Sequence, residues 1–175
     1  MRRAGPIDGT PIWIFTGSSV SPMLNLLTER SIMPTLPKTN SAVTEIAASD
    51  PADAQRHFER LLSLETDCWD VHAAISAGQP DFVLLDVRSP AAYAAGHVPG
   101  AINLPHGRIN ERNVAGFPAE ILFVVYCNGP HCNGADRGAA RLAGLGRKVK
   151  KMIGGIEGWK DEGFSLVTDE GKEQE

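Results

Sequence analysis

Two cysteines five positions apart, Cys127 and Cys132, are the side chains of this sequence best suited to covalent chemistry. They lie in VVYCNGPHCNG (124–134), where an apolar run ends at the first cysteine and a loop containing Gly129 and Pro130 follows. Such a pair could hold a metal ion, form a disulfide, or present one reactive thiolate within a surrounding loop. A fourth interpretation treats both cysteines as small buried hydrophobic residues.

A metal site is the weakest of these interpretations. Cys127, His131 and Cys132 could each bind zinc, but their C-x₄-C spacing differs from the C-x₂-C pattern of structural zinc sites. A fourth ligand would have to come from a distant residue, namely His97, His106 or Cys68. We therefore expect neither a metal ion nor any other cofactor.

The cysteine count bears on the disulfide interpretation. The chain has three cysteines, an odd number that does not fit the paired framework of a small secreted protein. No apolar run is long enough to span a membrane, and Pro11 and Gly17 interrupt the apolar stretch near the N-terminus. These features predict a cytoplasmic protein, in which a Cys127–Cys132 disulfide would be an oxidised side state.

A reactive thiolate needs its charge stabilised, and the sequence around Cys127 offers two sources of stabilisation. A strand-to-helix turn can point successive backbone N–H groups at the sulfur, and the following helix directs the positive end of its dipole to the same loop. Gly129 and Gly134 permit the tight turns that this arrangement needs. Pro130, which has no N–H, and Asp136, an anion in the first helical turn, would weaken the effect.

Alternating helical and strand patterns surround the two cysteines. Runs of large and β-branched apolar residues predict strands buried on both faces, whereas the segments between them begin with capping residues and end at glycine. We predict helices over 49–66, 68–78, 89–96, 133–146 and 156–164 and strands over 81–88, 100–105, 121–127 and 149–155. This order predicts an α/β fold with a small parallel sheet, helices on both faces, and a ligand site beyond the carboxyl ends of the strands, where Cys127 lies.

Composition divides the chain into four segments. Residues 1–48 contain scattered prolines without a sustained period and predict a loosely ordered extension. A leading helix over 49–66 precedes the main domain at 67–168, and an acidic tail follows over 169–175. A hydrophobic fraction of 42% fits an ordinary soluble domain, and the net charge of −4 argues against a nucleic-acid partner. Nothing in the pattern predicts a membrane partner or an oligomeric state.

Two stretches resemble the two halves of rhodanese-like domains. LLDVRSPAAYAAGHVPGAINLP (84–105) is similar to the first half, and VVYCNGPHCNGADRGAARLAGLG (124–146) with VKKMIGGIEGW (149–159) is similar to the second. The C-x-G-P-x-C loop is typical of one subgroup of these single-domain sulfurtransferases. The resemblance implies a three-layer α/β sandwich and a cysteine that carries sulfur as a persulfide.

By position, the resemblance assigns sulfur transfer to Cys127. Its thiolate would take the outer sulfur of a small-molecule donor such as thiosulfate and pass it to a thiol or to cyanide. Asp86 and Arg88 would form a supporting pair near the loop. The substrate-binding residues would be the rest of the loop: Asn128, Gly129, Pro130, His131, Cys132 and Asn133.

The loop departs from the usual rhodanese pattern in its charge. An arginine or lysine typically follows the cysteine, whereas here only His131 could be cationic. The longer loop also leaves open a phosphatase-like or arsenate-reductase-like enzyme, in which Cys132 is the nucleophile and Arg137 binds the oxyanion. A third class is a non-catalytic sulfur carrier or redox-sensing module. Three other residues are expected to pack rather than react: His97, Trp159 and Cys68.

Overall fold

The computed structural model describes residues 41–78, 80–168 and 173–174. The predicted N-terminal extension lies outside the described residues up to position 40, and so does most of the predicted acidic tail. Packing divides the chain after Ile46. In the first unit Ala42–Glu45 form a short helix, whose start is closed by the Ser41 N–H donating to Thr44 Oγ1 at 3.0 Å.

The second unit alternates helices and short strands. Counting from the first unit, the helices are α1 (Ala42–Glu45), α2 (Pro51–Leu64), α3 (Cys68–Ser76), α4 (Pro90–Ala94), α5 (Glu111–Val114), α6 (Gly134–Gly144) and α7 (Gly155–Asp161), with a 3₁₀ turn at His106–Arg108. The strands are β1 (Glu65–Thr66), β2 (Phe82–Asp86), β3 (Ile102–Asn103), β4 (Leu122–Tyr126), β5 (Lys148–Met152), β6 (Leu166–Val167) and β7 (Glu173–Gln174).

A parallel sheet forms the centre of this unit and confirms the predicted α/β fold. Within the described residues its strand order is β1-β5-β4-β2-β3, so β4 is the middle strand, and β6 and β7 pair separately. Asp86 lies opposite Tyr126, and Val125 lies opposite Lys151. The carboxyl ends of β2, β4 and β5 therefore meet at one edge of the sheet.

The central strand separates two apolar cores. Val124 and Tyr126 face one core together with Trp159, whereas Phe123 and Val125 face the other core. All four β4 side chains are at most 2% exposed. This burial on both faces explains why the strand is an almost continuous apolar run rather than an alternating one.

The predicted elements differ from the structure at their ends, and two of these differences bear on the site. The helix predicted over 49–66 begins at Pro51, after Asp50 accepts a hydrogen bond from the Ala52 N–H at 2.9 Å, and it ends at Leu64. Glu65 and Thr66 are extended instead, because they pair with β5 as the edge strand β1.

No helix in the described part of the chain has the length and apolar character required to cross a membrane.

The strand predicted over 149–155 ends at Met152. Gly154 and Gly155 adopt φ angles of +83° and +58°, a left-handed conformation that interrupts the strand. The chain turns there and α7 begins at Gly155. This turn lies beside the carboxyl end of β4, where the two cysteines lie.

Candidate active site

Cys127 follows directly after the central strand and faces a cavity of about 230 Å³. Its side chain is only 6% exposed, yet it forms part of the cavity wall. The cavity lies between the loop after β4 and the segment from Lys151 to Gly155. A strand end next to a small cavity is the position at which an open α/β sheet binds its ligands.

The main chain around Cys127 is held by α7. The Ile156 N–H donates to the Cys127 carbonyl at 3.0 Å, and the Glu157 N–H donates to the Asn128 carbonyl at 2.9 Å. Gly155 makes this contact possible, because a methyl group on its Cα would overlap the Cys127 carbonyl oxygen. The first N–H groups of α7, which have no partner within the helix, are thus used to fix the loop.

The start of α6 lies directly against both sulfur atoms. A Cβ atom added at Gly134 would stand 2.6 Å from Cys127 Sγ and 3.4 Å from Cys132 Sγ. The helix continues for 11 residues, so its N-terminal dipole points at the two sulfur atoms. A thiolate at either position would be stabilised by this field, which lowers the pKa of cysteines at helix N-termini.

The structure joins Cys127 and Cys132 as a disulfide. Their Cα atoms are 6.5 Å apart, and the Cys132 N–H donates to the Gly129 carbonyl at 3.0 Å, which folds the loop back on itself. The loop thus brings the two cysteines close enough for the oxidised side state considered above. The ring of N–H groups expected around a thiolate stays a prediction for the reduced form.

The other loop residues divide into two groups. Gly129, Pro130 and Cys132 contribute to the cavity wall, as expected for substrate-binding positions. Asn128, His131 and Asn133 are exposed and do not contribute to it. In the described part of the chain, no three His, Cys, Asp or Glu side chains come together as a metal site.

A cation that sequence reasoning missed lies at the cavity wall. Lys151 Nζ is 2.9 Å from Asp136 Oδ1 and 3.0 Å from Glu65 Oε1. The hydrogen bond that Lys151 donates to Asp136 raises the pKa of Lys151, against a smaller opposing effect of burial. The residue was missed because only the pairing of β4 with β5, which is set by distant parts of the chain, brings Lys151 beside Cys127.

Asp86 and Arg88 form a buried ion pair at the carboxyl end of β2. Arg88 Nη2 donates to Asp86 Oδ2 at 2.6 Å and to the Gly96 carbonyl at 2.7 Å. Burial alone would lower the pKa of Arg88, but the hydrogen bond and charge of Asp86 raise it overall. Neither residue borders the cavity. The pair holds the chain in place at Gly96. The Val87 N–H donates to the Tyr126 carbonyl at 3.1 Å, which links the end of β2 to the end of β4.

Three residues expected to pack are buried in the structure. His97 Nδ1 donates to the Tyr93 carbonyl at 3.0 Å, and Trp159 Nε1 donates to the Ser165 carbonyl at 3.0 Å. Cys68 Sγ donates to the Ile153 carbonyl at 3.4 Å. Burial, with a smaller contribution from the Asp67 carboxylate, raises the pKa of Cys68 to about 11. This thiol stays protonated near neutral pH, so it is a poor nucleophile.

The oxyanion-enzyme alternative depends on Arg137. Its side chain is exposed on α6, and it is not among the residues that border the cavity with Cys132. Arg137 is thus not one of the residues that surround the two sulfur atoms in this cavity. The geometry therefore gives no support to Cys132 as the nucleophile of a phosphatase-like site.

Comparisons with known proteins agree with this geometry. The Rhodanese-like domain model matches residues 70–162, more than half of the chain. The chain is 40% identical over 81 residues to the thiosulfate sulfurtransferase GlpE of Pseudomonas entomophila, covering 45% of this chain and 70% of GlpE. It is 36% identical over 91 residues to an HTH-type transcriptional regulator of Mycobacterium tuberculosis, covering 52% of this chain but only 39% of the regulator.

A solved structure shows the same fold at comparable identity. The BH2092 protein of Bacillus halodurans superposes with a TM-score of 0.67 and 40% sequence identity, covering 70% of this chain and 89% of that protein. The rhodanese-like domain of the Anabaena protein Alr3790 superposes with a TM-score of 0.54 and 25% identity, covering 59% of this chain and 78% of that one. From its fold, its strand-end cysteine and the matched family model, this chain belongs to the rhodanese-like domain family.

Proposed function

We propose that this protein is a sulfurtransferase that carries a sulfane sulfur on Cys127 as a persulfide. The observation that supports this most directly is the position of the Cys127 sulfur, at a small cavity and against the N-terminus of α6. GlpE, a relative at 40% identity, is a thiosulfate sulfurtransferase. The C-x-G-P-x-C loop would then define the subgroup to which the chain belongs.

The reaction has two steps. The Cys127 thiolate attacks the outer sulfur of thiosulfate, the S–S bond of the donor breaks, and sulfite leaves with the bonding electrons. A nucleophile such as cyanide or a thiol then attacks the outer sulfur of the persulfide and restores the thiolate. Because the enzyme is modified between the two steps, ping-pong kinetics are expected. The reaction would take place in the cytoplasm, where thiol reductants keep the cysteines reduced.

The size of the cavity limits the donor. At about 230 Å³ it is smaller than the roughly 300–1,000 Å³ of pockets that enclose drug-sized ligands. A small inorganic donor fits, and so does the terminal sulfur of a longer persulfide whose remainder stays outside. No separate cofactor is needed for either step.

The proposal is tested by thiocyanate formation from thiosulfate and cyanide with the reduced full chain. Cys127→Ser should reduce the rate to the uncatalysed background, because serine cannot form the persulfide. Cys68→Ala is the matched control, since it removes a thiol outside the cavity and should keep the activity. Undiminished turnover in Cys127→Ser would refute the assignment.

One observation favours a second candidate, a sulfur-sensing module. The relative from Mycobacterium tuberculosis is a transcriptional regulator, and this chain covers 39% of it. Paired cysteines at the site would suit such a role. Measuring turnover separates the two candidates: a sensor would load one sulfur per chain without repeated transfer, whereas an enzyme would form many thiocyanate ions per chain.

A further inference from the structure

Cys132 lies in the same cavity as Cys127, and the loop brings the two sulfur atoms together. Both residues contribute to the cavity wall, and both sulfur atoms lie against Gly134. Their Cα separation of 6.5 Å falls within the range of about 4.4–6.8 Å that a disulfide requires. The backbone therefore permits a bond between the two sulfur atoms, which positions the second thiol for a reaction with the first.

We propose that Cys132 resolves the Cys127 persulfide by forming the disulfide and releasing sulfide. This inference rests on the proposed loading of sulfur onto Cys127. It adds a second activity to sulfur transfer: the site is also a thiol-dependent persulfide reductase. Cys132 acts as an internal acceptor that competes with external acceptors such as cyanide or a thiol.

The bonds and electrons of this step balance. The Cys132 thiol loses its proton to solvent, and its sulfur attacks the inner sulfur of the persulfide, which is Cys127 Sγ. The bond from Cys127 Sγ to the outer sulfur breaks, the outer sulfur takes up one proton from solvent, and hydrosulfide leaves with the electron pair. The outer sulfur is reduced to sulfide while two cysteine thiols become one disulfide. With thiosulfate as the donor, the products are one sulfite, one sulfide and the disulfide, and an external dithiol restores the reduced site.

Attack on the inner sulfur is favoured over attack on the outer one. Hydrosulfide and a Cys127 thiolate beside the start of α6 are both good leaving groups, so the geometry of the loop decides between the two sulfur atoms. The loop also holds Cys132 Sγ at a position from which it bonds directly to Cys127 Sγ. Attack on the outer sulfur would only move the persulfide from one cysteine to the other.

An external acceptor has to compete with this internal reaction. Two groups held in the same site react as if one were present at a concentration far above that of a dilute solute. Dilute thiols would then capture only part of the persulfide, and the rest would be released as sulfide. The acceptor concentration would set the division between transfer and release.

A single-turnover experiment tests the inference. The full chain is reduced, freed of reductant without oxygen, and mixed with one equivalent of thiosulfate in the absence of cyanide and thiols. Sulfide is measured colorimetrically, and the peptide holding both cysteines is analysed by mass spectrometry. The wild type should release sulfide and lose two hydrogen atoms as the disulfide forms. Cys132→Ser and Cys132→Ala should keep one added sulfur on Cys127 and lose sulfide release. Cys68→Ala should behave as the wild type.

The other outcomes are distinguishable. If the wild type keeps the persulfide and releases no sulfide, the inference is overturned while the sulfur loading of Cys127 stands. Sulfur found on Cys132 would overturn it as well, because the attack would then be on the outer sulfur. If Cys132→Ser, folded by circular dichroism, takes up no sulfur at all, the proposed function fails first and the inference falls with it.

Discussion

The ammonium group of Lys151 lies at the cavity wall, but two carboxylates already bind it. Asp136 and Glu65 lie within 3.0 Å of Nζ, so this cluster carries a net charge of about −1 when all three groups are ionised. Such a cluster disfavours a dianionic donor through the same Coulomb interaction that would favour it at a bare lysine. Lys151 would replace the arginine or lysine that the loop lacks, but its charge is largely neutralised by Asp136 and Glu65.

Removing one carboxylate should therefore improve thiosulfate binding. We expect Asp136→Asn to lower the KM for thiosulfate by roughly fivefold, equivalent to about 1 kcal/mol, because Lys151 then faces one anion fewer. Steady-state kinetics at low salt measure this change. Glu120→Gln is the matched control, since it breaks the exposed pair with Lys148 at the other end of β5. An equal effect in both variants, or a higher KM in Asp136→Asn, would contradict this view of Lys151.

At the scale of elements, the site depends on how closely α6 approaches the end of β4. Any side chain at position 134 would press on the sulfur atoms, because Cys127 Sγ lies 2.6 Å from the place of its Cβ. At Gly155 a Cβ would overlap the Cys127 carbonyl, where the start of α7 meets the loop. Both helices thus approach the loop after β4 through glycine.

Gly134→Ala should impair the reaction without unfolding the protein. The added methyl group has to displace Cys127 Sγ from 2.6 Å to a normal contact distance, and a shift of this size lowers kcat/KM by about a hundredfold. Gly144→Ala, in the same helix, is the control, since nothing lies within 4 Å of its added Cβ. It should leave the kinetics unchanged and stabilise the protein by about 0.5 kcal/mol. Equal activity in both variants would show that the close approach is unimportant.

The sequence predicted the central elements well and the edges poorly. The strands β2 and β4 were found because burial on both faces leaves a continuous apolar run, and Cys127 was found because it ends one of them. Edge strand β1 was missed because Glu65 and Thr66 continue a helical pattern, and only pairing with β5 makes them extended. Lys151 reaches the cavity only because β5 pairs with β4. Such pairing of distant segments leaves no local pattern in the sequence.

At the scale of the whole unit, its beginning contacts the turn after β5 through Cys68. Cys68, at the first position of α3, donates from Sγ to the Ile153 carbonyl and lies against Gly154 and Gly158. This thiol is 5% exposed and joins the core that contains Trp159. The packing links the beginning of the unit to the segment that fixes the loop after β4.

The raised pKa of Cys68 predicts a loss of global stability at alkaline pH. The folded protein keeps this proton up to about pH 11, whereas the unfolded chain loses it near 9.0, so the free energy of unfolding falls as pH rises between these values. Cys68→Ala should be less stable by about 1 kcal/mol at neutral pH, and the difference should shrink between 9.0 and about 11. Urea unfolding under reducing conditions measures both variants. A constant difference across this range would contradict the assignment.

Hydrogen bonds from α7 fix the loop at Cys127 and Asn128, and the start of α6 fixes it at Gly134. The exposed residues Pro130 and His131 lie between these two fixed ends. Libraries that vary these two positions alone would therefore change one part of the cavity wall and the turn before Cys132, while both ends of the loop stay anchored. This makes the segment a starting point for altering acceptor preference.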